Sequence, residues 1–283
     1  MKTARAWKAF YEEERASLGE TGLAALFDRA SSIALPADGA LVFPHVKLVD
    51  GGAMVAAVAR AVVRSRCEDV LAIGVLHGAR EEDAPLVAEA RAGDGEARAL
   101  LRRVHDESSP FVREEFSLDG FRALLAVAAR LEGCRPPQIH ARFPFLVGDD
   151  PSSLPGLDEL RSLRERGAAL VATTDPIHHG IGYGTPEGAA RAGDDVATRS
   201  FGRSTIEAEF QALRDRRWAD FQSLAADVRS DFRDAGPTLA MLLDGDRWRA
   251  EIVEVALSDY AAPLGAPPPT WVAAALVALD RDA

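Results

Sequence analysis

The sequence predicts one α/β domain spanning 1–283, with a central, mostly parallel or mixed sheet and helices on both faces. Strand-like and helix-like segments interleave from end to end, as they do in layered α/β folds. Two of the strand candidates, Val70 to Val75 and Ala168 to Thr174, are continuous apolar runs of the kind found in strands buried on both faces. No internal repeat, low-complexity tract or Ser/Gly linker divides the chain.

Residues 1–38 read as a helical lead-in, with Leu23, Leu26 and Phe27 at helical spacing. Ala40 to Phe43 reads as a strand ending at Pro44-His45, and 51–66 as a helix. The strand 70–75 runs out at Leu76-His77. The polar, Gly-containing stretch 78–112 is expected to be mostly loop, a lid-like insertion with a short helix near 96–103. A helix is expected over 118–131, a strand over 139–147 interrupted at Pro144, and a helix over 157–165. The strand 168–174 ends at Asp175-Pro176-Ile177-His178-His179-Gly180. Helical patterns at 203–214, 217–232 and 237–243 precede an alternating strand at 250–257.

Lys plus Arg total 33 against 44 Asp plus Glu, a formal charge of -11. That balance argues against a nucleic-acid partner, which needs a positive face. No stretch approaches the roughly 20 apolar residues of a membrane span, and the N-terminus has no uninterrupted apolar leader core, so no membrane partner and a cytoplasmic location are expected. Cys67 and Cys134 are far apart in sequence and form no Cys-x-x-Cys pair, as expected of reduced thiols. The expected partner is a small-molecule or peptide ligand, with association of like subunits as a further expectation.

In open α/β sheets ligands sit beyond the carboxyl ends of the strands. Three of the six histidines stand there: His45 after LVFP, His77 after LAIGVL and His178 after LVATTDPI. Imidazole ligates transition metals and titrates near neutral pH, so a shared pocket of these three serves metal binding or proton transfer. Asp175 either caps its turn or orients an imidazole, His179 is a pocket wall, and the Gly-rich Gly180 to Gly184 segment carrying Tyr183 is a pocket loop. His105 and His140 read as surface residues. No Walker loop, dinucleotide fingerprint, nucleophile elbow or His-Glu-x-x-His helix is present.

These residues resemble the motifs of the Memo-like family, the B component of AmmeMemoRadiSam systems, which shares its fold with class III extradiol ring-cleaving dioxygenases. Ala9-Phe10-Tyr11, Pro44-His45, Gly74-Val75-Leu76-His77, Glu115-Phe116-Ser117-Leu118-Asp119 and Thr173 to Gly180 match its motifs in order. The resemblance implies that His45 and His77 are metal ligands and His178 the acid/base or substrate-contacting histidine of the pocket; Asp175 is expected to act beside His178 as a catalytic residue. Glu115, His179 and Tyr183 are expected to be substrate contacts of this pocket. The family's third ligand is a cysteine, and the matching position here is Ala235. Asp234, next to it, is the expected replacement, giving a two-His-one-carboxylate set suited to Fe(II); copper or zinc are alternatives. Asp50, Glu115 or His178 stay open as the third ligand. The implied function is a metal-dependent, oxidoreductase-type enzyme. The rival readings are a ligand- or peptide-binding member that has lost the third ligand and holds no metal, and a metal-free acid/base enzyme using His178 and Asp175.

Overall fold

The computed structural model describes residues 3–77, 83–146, 150–193, 195–243 and 248–281. The helix α1 (Ala4–Ala25) leads in, bending at Gly19, whose φ of 58° suits a residue without a Cβ. The strand β1 (Ala40–Phe43) is followed by α2 (Leu48–Ser65) and β2 (Asp69–Ile73). Then come α3 (Ala84–Ala92), α4 (Gly95–Leu101), β3 (Arg103–His105), α5 (Asp119–Leu131) and β4 (Gln138–Phe145). After α6 (Leu157–Glu165) come β5 (Ala169–Thr173) and β6 (Ile177–Gly180). The C-terminal part holds α7 (Val196–Arg214), α8 (Trp218–Asp227), α9 (Phe232–Leu242), β7 (Trp248–Asp259), α10 (Ala261–Leu264) and β8 (Thr270–Arg281).

Among the described residues these strands form one eight-stranded mixed sheet in the order β3-β4-β2-β5-β1-β8-β6, with β7 on β8. Its core, β4-β2-β5-β1, is parallel, and β8 runs antiparallel to β1. The predicted α/β architecture with helices on the sheet is therefore present. Leu41, Phe43, Val70, Ala72, Ala169 and Val171 face the helices α2 and α5. The alternate positions Val42, Leu71, Ile73, Leu170 and Ala172 face α6, α7 and α9. With both faces covered, these strands show no polar alternation in sequence. No helix among the described residues is long and apolar enough to cross a membrane.

Three expectations change. The described part of 78–112 carries α3, α4 and β3 rather than being mostly loop, while 78–82 lie outside the described residues. Asp94 caps α4 by accepting from the Ala97 amide, and Leu101 and Ala97 are buried beneath it. β4 runs unbroken through Pro144, which sits opposite Val104, whose own amide donates to the Pro155 carbonyl instead; Val147, at the expected end of this strand, lies outside the described residues. His105 is not a surface residue: its ring is 3 % exposed, with Nε2 on the Leu101 carbonyl and Nδ1 on Ser109 Oγ. His140 is half-buried and pairs with Asp69.

β6 ends at Gly180, with φ of 103°, where a Cβ would lie 2.0 Å from the Pro269 carbonyl oxygen. Replacing Gly180 with Ala is expected to cost about 2 kcal/mol or more, from backbone strain plus a clash with main chain. A thermal melt that leaves the midpoint unmoved would contradict this.

Candidate metal centre

The strand order places the carboxyl ends of β1, β5 and β2 side by side. His45 leaves β1 two residues after Phe43, Thr173 and Asp175 stand at the end of β5, and His77 follows β2. β6 then brings in His178, and the turn before α9 brings in Asp231. His45 Nε2 lies 3.0 Å from His77 Nε2, and these nitrogens lie 3.2 and 3.3 Å from Asp231 Oδ2. His178 Nε2 is 3.6 Å from the same oxygen.

The other ring nitrogen of each histidine is committed. The Thr173 hydroxyl donates to the Phe43 carbonyl (3.0 Å), so it accepts from His45 Nδ1–H at 3.1 Å. His77 Nδ1–H donates to Glu115 Oε1 at 3.0 Å. His178 Nδ1–H donates to the Arg229 carbonyl at 2.8 Å. Arg229 has φ of 55°, a left-handed conformation that turns the chain between α8 and Asp231. In its neutral form each ring carries its lone pair on Nε2, and all three Nε2 atoms face one carboxylate oxygen. Such an arrangement calls for positive charge between the donors, supplied by a proton on an imidazole or by a metal ion. An ion roughly 2.1 Å from each donor sets neighbouring donors about 3.0 to 3.4 Å apart in octahedral or tetrahedral geometry. The observed spacings of 3.0, 3.2 and 3.3 Å for His45, His77 and Asp231 fit that requirement.

Electrostatics follows the same pattern. Burial alone raises the Asp231 carboxyl, but His178, His45 and His77 hold it well below the usual range. Asp175 is raised, chiefly by burial, with the His45 ring opposing and the nearby Asp231 charge adding to the shift. Burial lowers His77, yet Glu115 and Asp231 together raise it well above its ordinary value. Among the described residues, neither Asp175 nor Asp231 has an Arg or Lys ion-pair partner.

His45, His77, His178 and Asp175 thus gather in one place, Asp175 accepting from the His45 amide through Oδ1 (3.0 Å) and facing His45 Nε2 through Oδ2 (3.5 Å). Glu115 stands behind His77: Oε1 accepts from its ring and from the Phe116 and Ser117 amides, and Oε2 from the His77 amide. Its oxygens are committed to orienting the ring, a role different from substrate contact. Tyr183 packs edge-on against His178, centroids 4.9 Å apart, and burial raises its hydroxyl. His179 points to the other face of β6, as strand alternation requires; it stacks on Trp271 and accepts from the Arg191 amide.

Asp234 does not join the cluster. It lies in the first turn of α9, about 4.5 Å further along the axis than Asp231, and its Oδ1 accepts from the Leu146 amide at 2.8 Å. Asp50 is held by Lys47 and Ser258. The carboxylate beside the two histidines is Asp231, which sequence reading placed inside a helix over 217–232. Its signal was the Ser230-Asp231 pair ahead of the apolar pattern of α9, a helix-start signature. Ala235 is buried in the core against α9's neighbours. Phe116 stacks on His77, centroids 4.3 Å apart, and Tyr11 stacks on Phe116, giving the cluster one apolar wall.

Among known proteins, no family model matches this chain and no curated protein matches it.

Proposed function

We propose that this chain is a metal-dependent enzyme of oxidoreductase type, Memo-like and related to class III extradiol ring-cleaving dioxygenases, acting on a small molecule. One observation carries the reading: the Nε2 lone pairs of His45 and His77 converge with Asp231 Oδ2 at ligand spacing, with both tautomers pinned from behind. Two imidazoles and a carboxylate form the facial set suited to Fe(II), with zinc or copper accommodated by the same donors. When bound, the ion supplies a Lewis acid and, as iron, one-electron redox chemistry.

His45, His77 and Asp231 would hold the ion, and Glu115 and Thr173 keep the two rings in the ligating tautomer. His178 accepts a proton from substrate at Nε2, and Asp231, 3.6 Å away, stabilises the imidazolium so formed. Asp175 anchors the His45 backbone. Phe116, stacked between His77 and Tyr11, closes one side of the cluster with an apolar wall. The binding-module reading was motivated by Ala235 at the thiolate position, and Asp231 supplies an anionic donor by another route.

Protein produced with Fe(II), Zn(II) or copper is expected to retain one tightly held equivalent, lost on His45→Ala. Glu115→Gln should weaken retention about 10- to 100-fold, because an orienting partner of a ligand is removed. Wild-type protein without stoichiometric metal under all three conditions would sink the proposal.

A further inference from the structure

Resting on the metal reading above, we propose that the cluster takes a second, weaker divalent cation between Asp175 and His178, with Asp231 shared by both ions. The five side chains fall into two sets, His45-His77-Asp231 and Asp175-His178-Asp231, and within each set the ligand atoms lie within 4.8 Å of one another. The second set is one histidine and two carboxylates, and its histidine is pinned from behind as those of the first are. His178 Nδ1–H is tied to the Arg229 carbonyl, so its Nε2 lone pair faces Asp231 Oδ2 at 3.6 Å. Asp175 is 3 % exposed, spends Oδ1 on the His45 amide and turns Oδ2 toward the cluster, 3.5 Å from His45 Nε2.

Charge favours a second ion. Asp175, Asp231 and Glu115 bring three negative charges into this buried region with no Arg or Lys ion-pair partner among the described residues. One dication leaves a single negative charge; a second, carrying a hydroxide from bound water, brings the sum to zero. Two divalent ions about 3.5–4 Å apart are an arrangement that proteins do build. The second ion binds more weakly because it shares Asp231 and meets the charge of the first.

The arrangement has a regulatory consequence. The lone pair that would hold the second ion is the one His178 uses for proton transfer. Excess divalent cation therefore removes the base and inhibits the enzyme, while the first ion stays in place.

The test is calorimetric titration of chelator-stripped protein with Zn(II). The wild-type chain is expected to take one equivalent tightly and a second at least about tenfold more weakly. Asp175→Asn, which keeps an oxygen for the His45 amide, and His178→Gln should each remove the second step and retain the first. His45→Ala should remove the tight step. A single equivalent in the wild type overturns the second site and leaves the first standing. No equivalent at all overturns both. A second equivalent that survives both substitutions places that ion elsewhere and also overturns the proposal. If Asp175→Asn fails to fold, as judged by circular dichroism, His178→Gln decides alone.

Discussion

Changing Asp231 to Asn is expected to lower metal affinity at the proposed His45-His77-Asp231 site by more than about 100-fold, while the same change at Asp234 leaves it intact. The two residues sit three positions apart at the start of α9, and both carboxylates accept or face hydrogen-bond donors, so composition cannot separate them. Geometry does. Asp231 Oδ2 faces His45, His77 and His178 at 3.2, 3.3 and 3.6 Å. Asp234 Oδ1 faces the amide of Leu146. Asparagine at 231 removes the only charged donor of the His45-His77 set, and a neutral amide oxygen is a poor substitute for a carboxylate on a divalent ion. Asparagine at 234 weakens one charge-assisted hydrogen bond and is expected to cost about 1–2 kcal/mol of folding stability. Metal competition against a chromogenic chelator reads the first effect and a denaturant melt the second. Equal loss of metal in both variants would remove Asp231 from its assigned place.

Glu209→Gln is expected to stabilise the protein, and to do so more as pH rises. Glu209 lies on the buried face of α7, fully removed from solvent, and neither carboxyl oxygen has a partner at full hydrogen-bond geometry. Burial pushes its pKa from 4.5 up to about 8, with only the Ser230 hydroxyl acting against the shift. The folded state therefore binds the proton more tightly than the unfolded chain. The Glu209 contribution is fully present below about pH 4.5 and is lost progressively as pH rises through about 8. At pH 7 the loss relative to a permanently neutral side chain is about 3 kcal/mol, the roughly 2.5 units between 4.5 and pH 7 at 1.36 kcal/mol per unit; the rest of the displacement is lost only above about pH 8. Glutamine escapes it, so the variant should melt several degrees higher at pH 7–8 and differ little at pH 4. A constant difference across that range would contradict the assignment.

Much of the fold was legible because buried strands and amphipathic helices leave local patterns. The runs around 70–75 and 168–174 correspond to β2 and β5, and 157–165 to α6. What escaped was β8, the long strand that pairs with β1, β6 and β7. Its core, Val272 to Leu276, is Val-Ala-Ala-Ala-Leu, and alanine has little strand preference of its own. All five side chains are essentially buried because helices press on both sides of the sheet, and small residues suit that confinement. β6 escaped for a similar reason: four residues following a turn carry no period, and pairing with β8 makes them a strand.

At the site, the sequence by itself determined the three histidines, since a strand end is a local feature and each follows an apolar run. Asp175 was marked by its own turn and Glu115 as a substrate contact; that they hold the His45 and His77 amides, 130 and 38 positions away, is a product of folding. Tertiary structure alone decided which carboxylate meets them. Asp231 comes from a segment 154 positions after His77 in the chain, and its distance from the histidines depends on how β6, the left-handed Arg229 and the start of α9 are packed. Tautomers were likewise invisible beforehand. They follow from what lies behind each ring, a threonine hydroxyl, a glutamate and a backbone carbonyl, none of which is a sequence neighbour of the histidine it fixes. Donor identity is written in the chain, whereas donor spacing and lone-pair direction are properties of side chains brought together by folding.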